Sequence, residues 1–211
     1  MKNILCYGDS NTFGYDPVTH GGRLPFEERW TGRLSLELWP EGRIIEAGLN
    51  SRTSVFDDPF IEDLNGLRIL GPTIRSALPL DLVIIMLGTN DLKNYYHMTP
   101  GQIARGIGAL IDKTRSLTDA EILVISPIRL GENIPYSEFG DAFDELSLKK
   151  SKLLGNEIRK VAENAGVHYM AAEDYAIASN EDSLHMLPSE HAKLADAIEA
   201  RIREILNLNK D

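Results

Sequence analysis

The stretch Asp81-Leu82-Val83-Ile84-Ile85-Met86-Leu87, followed at once by Gly88-Thr89-Asn90-Asp91, decides how this chain folds. Its apolar residues run continuously instead of alternating with polar ones, the pattern of a strand buried on both faces. Shorter runs of the same kind lie at Ile4–Tyr7, Arg43–Glu46, Glu121–Ser126 and, more weakly, Val167–Met170. Between them the spacing turns helical. Thr99-Pro100 reads as a cap followed by a first-turn proline, and Ile103, Ile107, Leu110 and Ile111 share one face behind it. Phe143, Leu146, Leu154, Ile158 and Val161 fit a second helix with some drift of face; Leu194, Ile198, Ile202 and Ile205 fit a last one. Strands alternating with helices predict an α/β domain, here a five-stranded parallel sheet with helices on both sides.

The 211 residues show no internal repeat, linker or low-complexity tract, so residues 1–211 read as one domain. Lys and Arg number 22 against 32 Asp and Glu, a formal net charge of −10. That balance argues against nucleic acid or an anionic membrane as a partner, since both call for a basic face. The single cysteine, Cys6, excludes an internal disulfide and a cysteine-cluster zinc site. No apolar run approaches the roughly 20 residues that span a bilayer. The first strand begins at Ile4 and leaves no room for a signal peptide, so a cytoplasmic protein is expected. Two long connections, Asp57–Gly71 and Arg129–Asp141, resist the strand–helix pattern. Such loops form pocket walls or subunit contacts.

In an open parallel sheet, ligands bind beyond the carboxyl ends of the strands. The residues found there are Gly8-Asp9-Ser10-Asn11, Gly48-Leu49-Asn50-Ser51-Arg52-Thr53, Gly88-Thr89-Asn90-Asp91 and, after the fifth run, Asp182-Ser183-Leu184-His185. Four polar clusters from distant parts of the chain should therefore meet at one edge. A serine hydroxyl becomes a nucleophile when a base takes its proton, and histidine suits that task at neutral pH. His185 would be the base for Ser10, and Asp182, three residues earlier, can hold the second imidazole nitrogen. The Ser10 amide, an amide of the Gly48–Thr53 loop and the Asn90 side chain can supply donors to an oxyanion.

These blocks resemble those of the SGNH hydrolases, also called the GDSL esterase/lipase family. Gly8-Asp9-Ser10-Asn11 is similar to the first family block, Gly88-Thr89-Asn90-Asp91 to the third and Asp182-Ser183-Leu184-His185 to the last. The segments Arg29-Trp30-Thr31-Gly32, Asp57-Asp58-Pro59, Leu64-Asn65-Gly66 and Leu80–Leu87 resemble the arylesterase/acyltransferase branch more closely. The resemblance implies a flavodoxin-like three-layer α/β/α fold, with Ser10 as nucleophile, His185 as base and Asp182 as its partner. It also implies an oxyanion hole made by Asn90 and the amides of Ser10 and Ser51. The second block departs from the family's Asn-x-Gly-x-x-Gly, because Ser51 stands at the oxyanion glycine. Serine is permissible there if positive φ is not required. Asn11 replaces the more usual leucine of the first block, a change that leaves the chemistry untouched on this reading.

The expected activity is hydrolysis of small neutral carboxylic esters, short-acyl and including aryl esters, through an acyl-Ser10 intermediate. No cofactor or metal is needed. The branch resemblance adds acyl transfer to alcohols and a homo-oligomer. Rival readings are a carbohydrate O-acetyl esterase and a non-catalytic binding protein on the same fold. A nucleotide loop at Gly8–Gly14 is disfavoured, for the segment lacks both phosphate-loop glycine patterns. Asp9 as a phospho-acceptor or magnesium ligand lacks a matching aspartate cluster. Among the aromatics, Trp30, Trp39, Phe56, Phe60, Tyr136 and Phe139 read as core or interface, whereas Phe13, beside Ser10, is the choice for a substrate wall. Lys93 could rim the site, though a solvated lysine is the plainer reading. His191 is expected on a surface or at a cap, and His20, His97 and His168 as structural or solvent-facing.

Overall fold

The computed structural model describes residues 1–208. Five parallel strands form the sheet: β1 (Lys2–Gly8), β4 (Gly42–Gly48), β5 (Leu82–Met86), β6 (Glu121–Ser126) and β7 (His168–Ala171), in the order β4-β1-β5-β6-β7. The order reverses at β1, whose Gly8 pairs with Gly48 on one side and Met86 on the other. β5 lies in the middle and all five of its residues are buried, as its unbroken apolar run requires. Alternate residues of each strand feed two cores. Leu5, Tyr7, Val83, Ile85 and Val124 pack under α3 (Gly66–Ala77), α4 (Pro100–Arg115) and α5 (Glu145–Ala165). Ile4, Cys6, Ile84, Leu123 and Ile125 pack under α2 (Trp30–Glu37) and α6 (Pro188–Leu206). This is the α/β architecture expected.

The cap read at Thr99 is a full capping box, with Thr99 and Gln102 satisfying one another's backbone amides at the start of α4. Two helices escaped the periodicity. α2 carries Gly32 in its first turn, where a Cβ would lie 1.7 Å from the Phe26 carbonyl oxygen, so packing outranks propensity. α3 contains Pro72 and begins at Gly66, inside the connection expected to run to Gly71. The face of α5 also differs from expectation. Phe143 precedes the helix and is fully buried, whereas Leu146, inside it, is 54% exposed.

A two-residue antiparallel pair, β2 (Tyr15–Asp16) with β3 (Gly22–Arg23), stands beyond the carboxyl edge next to a one-turn helix, α1 (Ser10–Phe13). No helix among the described residues is long and apolar enough to cross a membrane.

Candidate active site

Ser10 leaves β1 directly into α1. The Asp9 carboxylate caps that turn by accepting the Asn11 amide at 3.0 Å, and Gly14 closes it at φ 83°, a left-handed conformation that suits glycine. A Cβ on Gly48 would lie 2.2 Å from the Phe13 nitrogen, so a glycine there lets α1 sit against β4. Ser10 is thereby held on the floor of the edge, 7% exposed.

On the opposite side, Asp182 builds the loop that presents His185. Its Oδ1 accepts the amides of Leu184 and His185, each at 2.9 Å, and the Ser179 hydroxyl at 3.1 Å. These bonds fold Ser183 into positive φ, at 61°. Its Oδ2 accepts from His185 Nδ1 at 2.6 Å, and His185 Nε2 lies 2.9 Å from Ser10 Oγ. Burial acts against the Asp182 carboxylate, but the bond from His185, its charge and the two amides outweigh burial and hold the pKa below the usual aspartate value. Because the carboxylate stays ionised, Nδ1 keeps the imidazole proton and Nε2 is left to accept the serine hydroxyl. The three residues predicted from distant blocks are thus hydrogen-bonded in series.

The oxyanion candidates occupy the neighbouring loops. Asn90 is 5% exposed and donates one Nδ2 hydrogen to the Arg52 carbonyl at 3.0 Å, which orients the amide group and leaves its other hydrogen free of that bond. Arg52 is buried below it. Its guanidinium lies over the Tyr7 ring at 4.1 Å and donates to the carbonyls of Gly8 and Ala47, joining the ends of β1 and β4. Among the described residues, the main-chain amides of Ser10 and Ser51 have no protein acceptor. Ser51, however, adopts φ 62°. The condition set for a serine at this position is not met, and the residue bears a left-handed strain of about 1–2 kcal/mol.

Several placements differ from expectation. Lys93 is not the solvated lysine of the plainer reading: it is 8% exposed and its Nζ lies 3.5 Å from the buried Asp58 carboxylate. That carboxylate also accepts the hydroxyls of Tyr95 and Tyr96. Phe13 carries the Arg23 guanidinium over its ring at 4.4 Å. His191 is fully buried, its Nδ1 accepting the Trp30 amide at 3.3 Å, and burial lowers its pKa to about 3.

Two aromatic neighbours of His185 carried no sequence signal of that contact. Tyr15 stacks on the imidazole with centroids 4.0 Å apart, and Phe139, from the Arg129–Asp141 loop, meets it edge-on at 5.6 Å. Asn11 was set apart from the chemistry, yet its side chain bonds to both neighbours of His185. Among the described residues, no three His, Cys, Asp or Glu side chains are grouped to hold a metal ion.

A serine, a histidine and an ionised aspartate joined at the carboxyl edge of a parallel sheet form the arrangement of a serine hydrolase. The chain belongs to the GDSL-like lipase/acylhydrolase family, whose model matches residues 6–194. Among solved structures it is similar to Est24, a carbohydrate acetylesterase from Sinorhizobium meliloti, with 35% identity and TM-score 0.91 over 97% of this chain and 100% of that one. It is also similar to the inhibitor-bound M. smegmatis aryl esterase, with 33% identity and TM-score 0.91 over 97% and 100% of the two chains. Among curated proteins no match is found.

Proposed function

We propose that the protein is a serine esterase acting on small neutral carboxylic esters with short acyl groups. The observation that carries the reading is the series Asp182–His185–Ser10, with contacts of 2.6 and 2.9 Å. Ser10 Oγ attacks the acyl carbon as its proton passes to His185 Nε2, and Asp182 stabilises the imidazolium that forms. The carbonyl oxygen, now an anion, takes hydrogen bonds from Asn90 Nδ2 and the amides of Ser10 and Ser51. Collapse expels the alcohol, which leaves with the proton from His185. Water then attacks acyl-Ser10 by the same route in reverse, releasing the acid and restoring the serine. An alcohol in place of that water gives a new ester, so acyl transfer belongs to the same proposal. The net charge of −10 supports neutral substrates, since an acidic surface repels anions.

The likeness to Est24 favours a second reading of the leaving group, a sugar hydroxyl, with the acetyl group common to both. Comparing kcat/KM on p-nitrophenyl acetate and on acetylated xylose separates the two. The reading as a whole is tested by Ser10→Ala. It should abolish turnover of p-nitrophenyl acetate and labelling by a fluorophosphonate; equal rates in the two proteins would overturn it. A homo-oligomer is part of the same proposal, supported by Phe60 and Tyr136, which stand 79% and 82% exposed on the two long connections. Light scattering that finds only a monomer removes that part.

A further inference from the structure

Asn11 is 3% exposed, and all of its polar groups are engaged. Its amide donates to Asp9 Oδ1 at 3.0 Å and its carbonyl accepts from Trp30 Nε1 at 3.1 Å. Its side chain reaches across the site. Nδ2 donates to the Leu184 carbonyl at 3.2 Å, and Oδ1 accepts from the Met186 amide at 3.1 Å. Those two residues flank His185 directly.

We propose that Asn11 is a positioning residue that sets His185 against Ser10. The inference rests on reading those two as base and nucleophile. Asp182 turns the imidazole correctly, but it belongs to the same loop as His185 and so cannot register that loop against α1. Asn11 does so. It is the covalent neighbour of Ser10, and it grips the chain on both sides of His185. The ring runs Ser10 to Asn11, across two hydrogen bonds to Leu184 and Met186, along the chain to His185, and back to Ser10 Oγ at 2.9 Å. Trp30 anchors the ring from outside, since its indole holds the Asn11 carbonyl while its amide donates to His191 in α6. A leucine in place of Asn11 would fill a similar volume but leave a buried carbonyl and a buried amide without their partner.

The test compares wild type with Asn11→Leu, Asn11→Asp and Ser10→Ala. Four quantities are measured: kcat and KM on p-nitrophenyl acetate, the rate of Ser10 phosphonylation by a small fluorophosphonate, and Tm. Misplacement of a reacting group by about 1 Å costs on the order of 10²-fold, so Asn11→Leu should lower kcat by about 10- to 100-fold. Phosphonylation should slow by the same factor while KM stays within about twofold. Asn11→Asp keeps the acceptor for the Met186 amide but sets a second acceptor against the Leu184 carbonyl, so it too should lower kcat and phosphonylation together while KM stays within about twofold. It decides the matter by the same criterion if the leucine variant does not fold. Wild-type kcat and phosphonylation rate per folded Asn11→Leu molecule, with Ser10→Ala inactive, would overturn this inference alone, even if Tm fell. Activity retained by Ser10→Ala would overturn the reading beneath it.

Discussion

Asp182 and Asp91 are the same side chain, both shielded from solvent and both at the carboxyl edge of the sheet, yet their carboxyls are driven in opposite directions. Burial disfavours both charges. Asp182 gathers two backbone amides, a serine hydroxyl and the His185 imidazole, and its pKa falls below the usual value. Burial weighs most on Asp91, whose bonds come from the Ser54 hydroxyl and amide and from its own amide, and which feels the nearby Asp9 carboxyl; its pKa rises to about 6. Charge at this edge is therefore set by the balance between burial, which is deeper around Asp91, and the donors that oppose it, which are strongest around Asp182. On the proposed mechanism, the edge has one half that holds a permanent anion and another that receives a transient one.

The comparison can be broken from either side. The largest effect is expected at Asp182→Asn, which keeps the shape but cannot remain an anion that fixes the imidazole tautomer; kcat should fall about 10³–10⁴-fold. A loss below tenfold would show that the ionised carboxylate is dispensable. On the receiving half, Asn90→Ala removes one donor, with an expected loss of about 10²–10³-fold in kcat. That loss should appear in kcat with little change in KM, because the donor acts on charge that exists only in the transition state.

Smaller effects concern stability. Asp9, like Asp91, has its pKa raised by burial to about 6. Between about pH 4 and 6 the unfolded chain releases this proton while the folded chain keeps it, so stability falls as pH rises through that window and levels off above it. Asp9→Asn retains the Asn11 cap and removes the titration. In urea unfolding, the stability at pH 4 minus that at pH 7 should be about 1–3 kcal/mol lower for the variant than for wild type. The smallest effect is at Ser51→Gly, which relieves φ 62°. Offset by the entropy of glycine, it should raise stability by about 0.5–1 kcal/mol, or a few degrees in Tm by calorimetry.

The sheet and the three-residue series were legible because each depends on a short pattern. Continuous apolar runs such as Leu82–Met86 announce doubly buried strands, and ligand chemistry follows at their carboxyl ends. What escaped depends on contacts with no local period. α2 tolerates Gly32 for the sake of the Phe26 carbonyl, and α3 tolerates Pro72, so both look like poor helices in isolation. Lys93 is buried because Asp58, from a separate loop, comes to meet it. Tyr15 gives no sign of stacking on a histidine that lies far along the chain. Asn11 shows both limits together. Its departure from the commoner leucine is visible in the sequence, whereas the two backbone groups that make use of its amide lie 173 and 175 residues away.

The span of that clasp bears on how the protein comes into being. Residues near 10 and near 185 are joined across 173 and 175 positions of chain, and closing so long a loop carries an entropic cost that local contacts do not. Until Leu184 and Met186 dock on Asn11, Ser10 Oγ has no imidazole beside it. On the proposed reading, a growing chain on the ribosome, or one opened at its last loop, would lack the assembled site. If the site works as proposed, ester turnover is a gauge of finished assembly, switched on by the closing of the chain on itself.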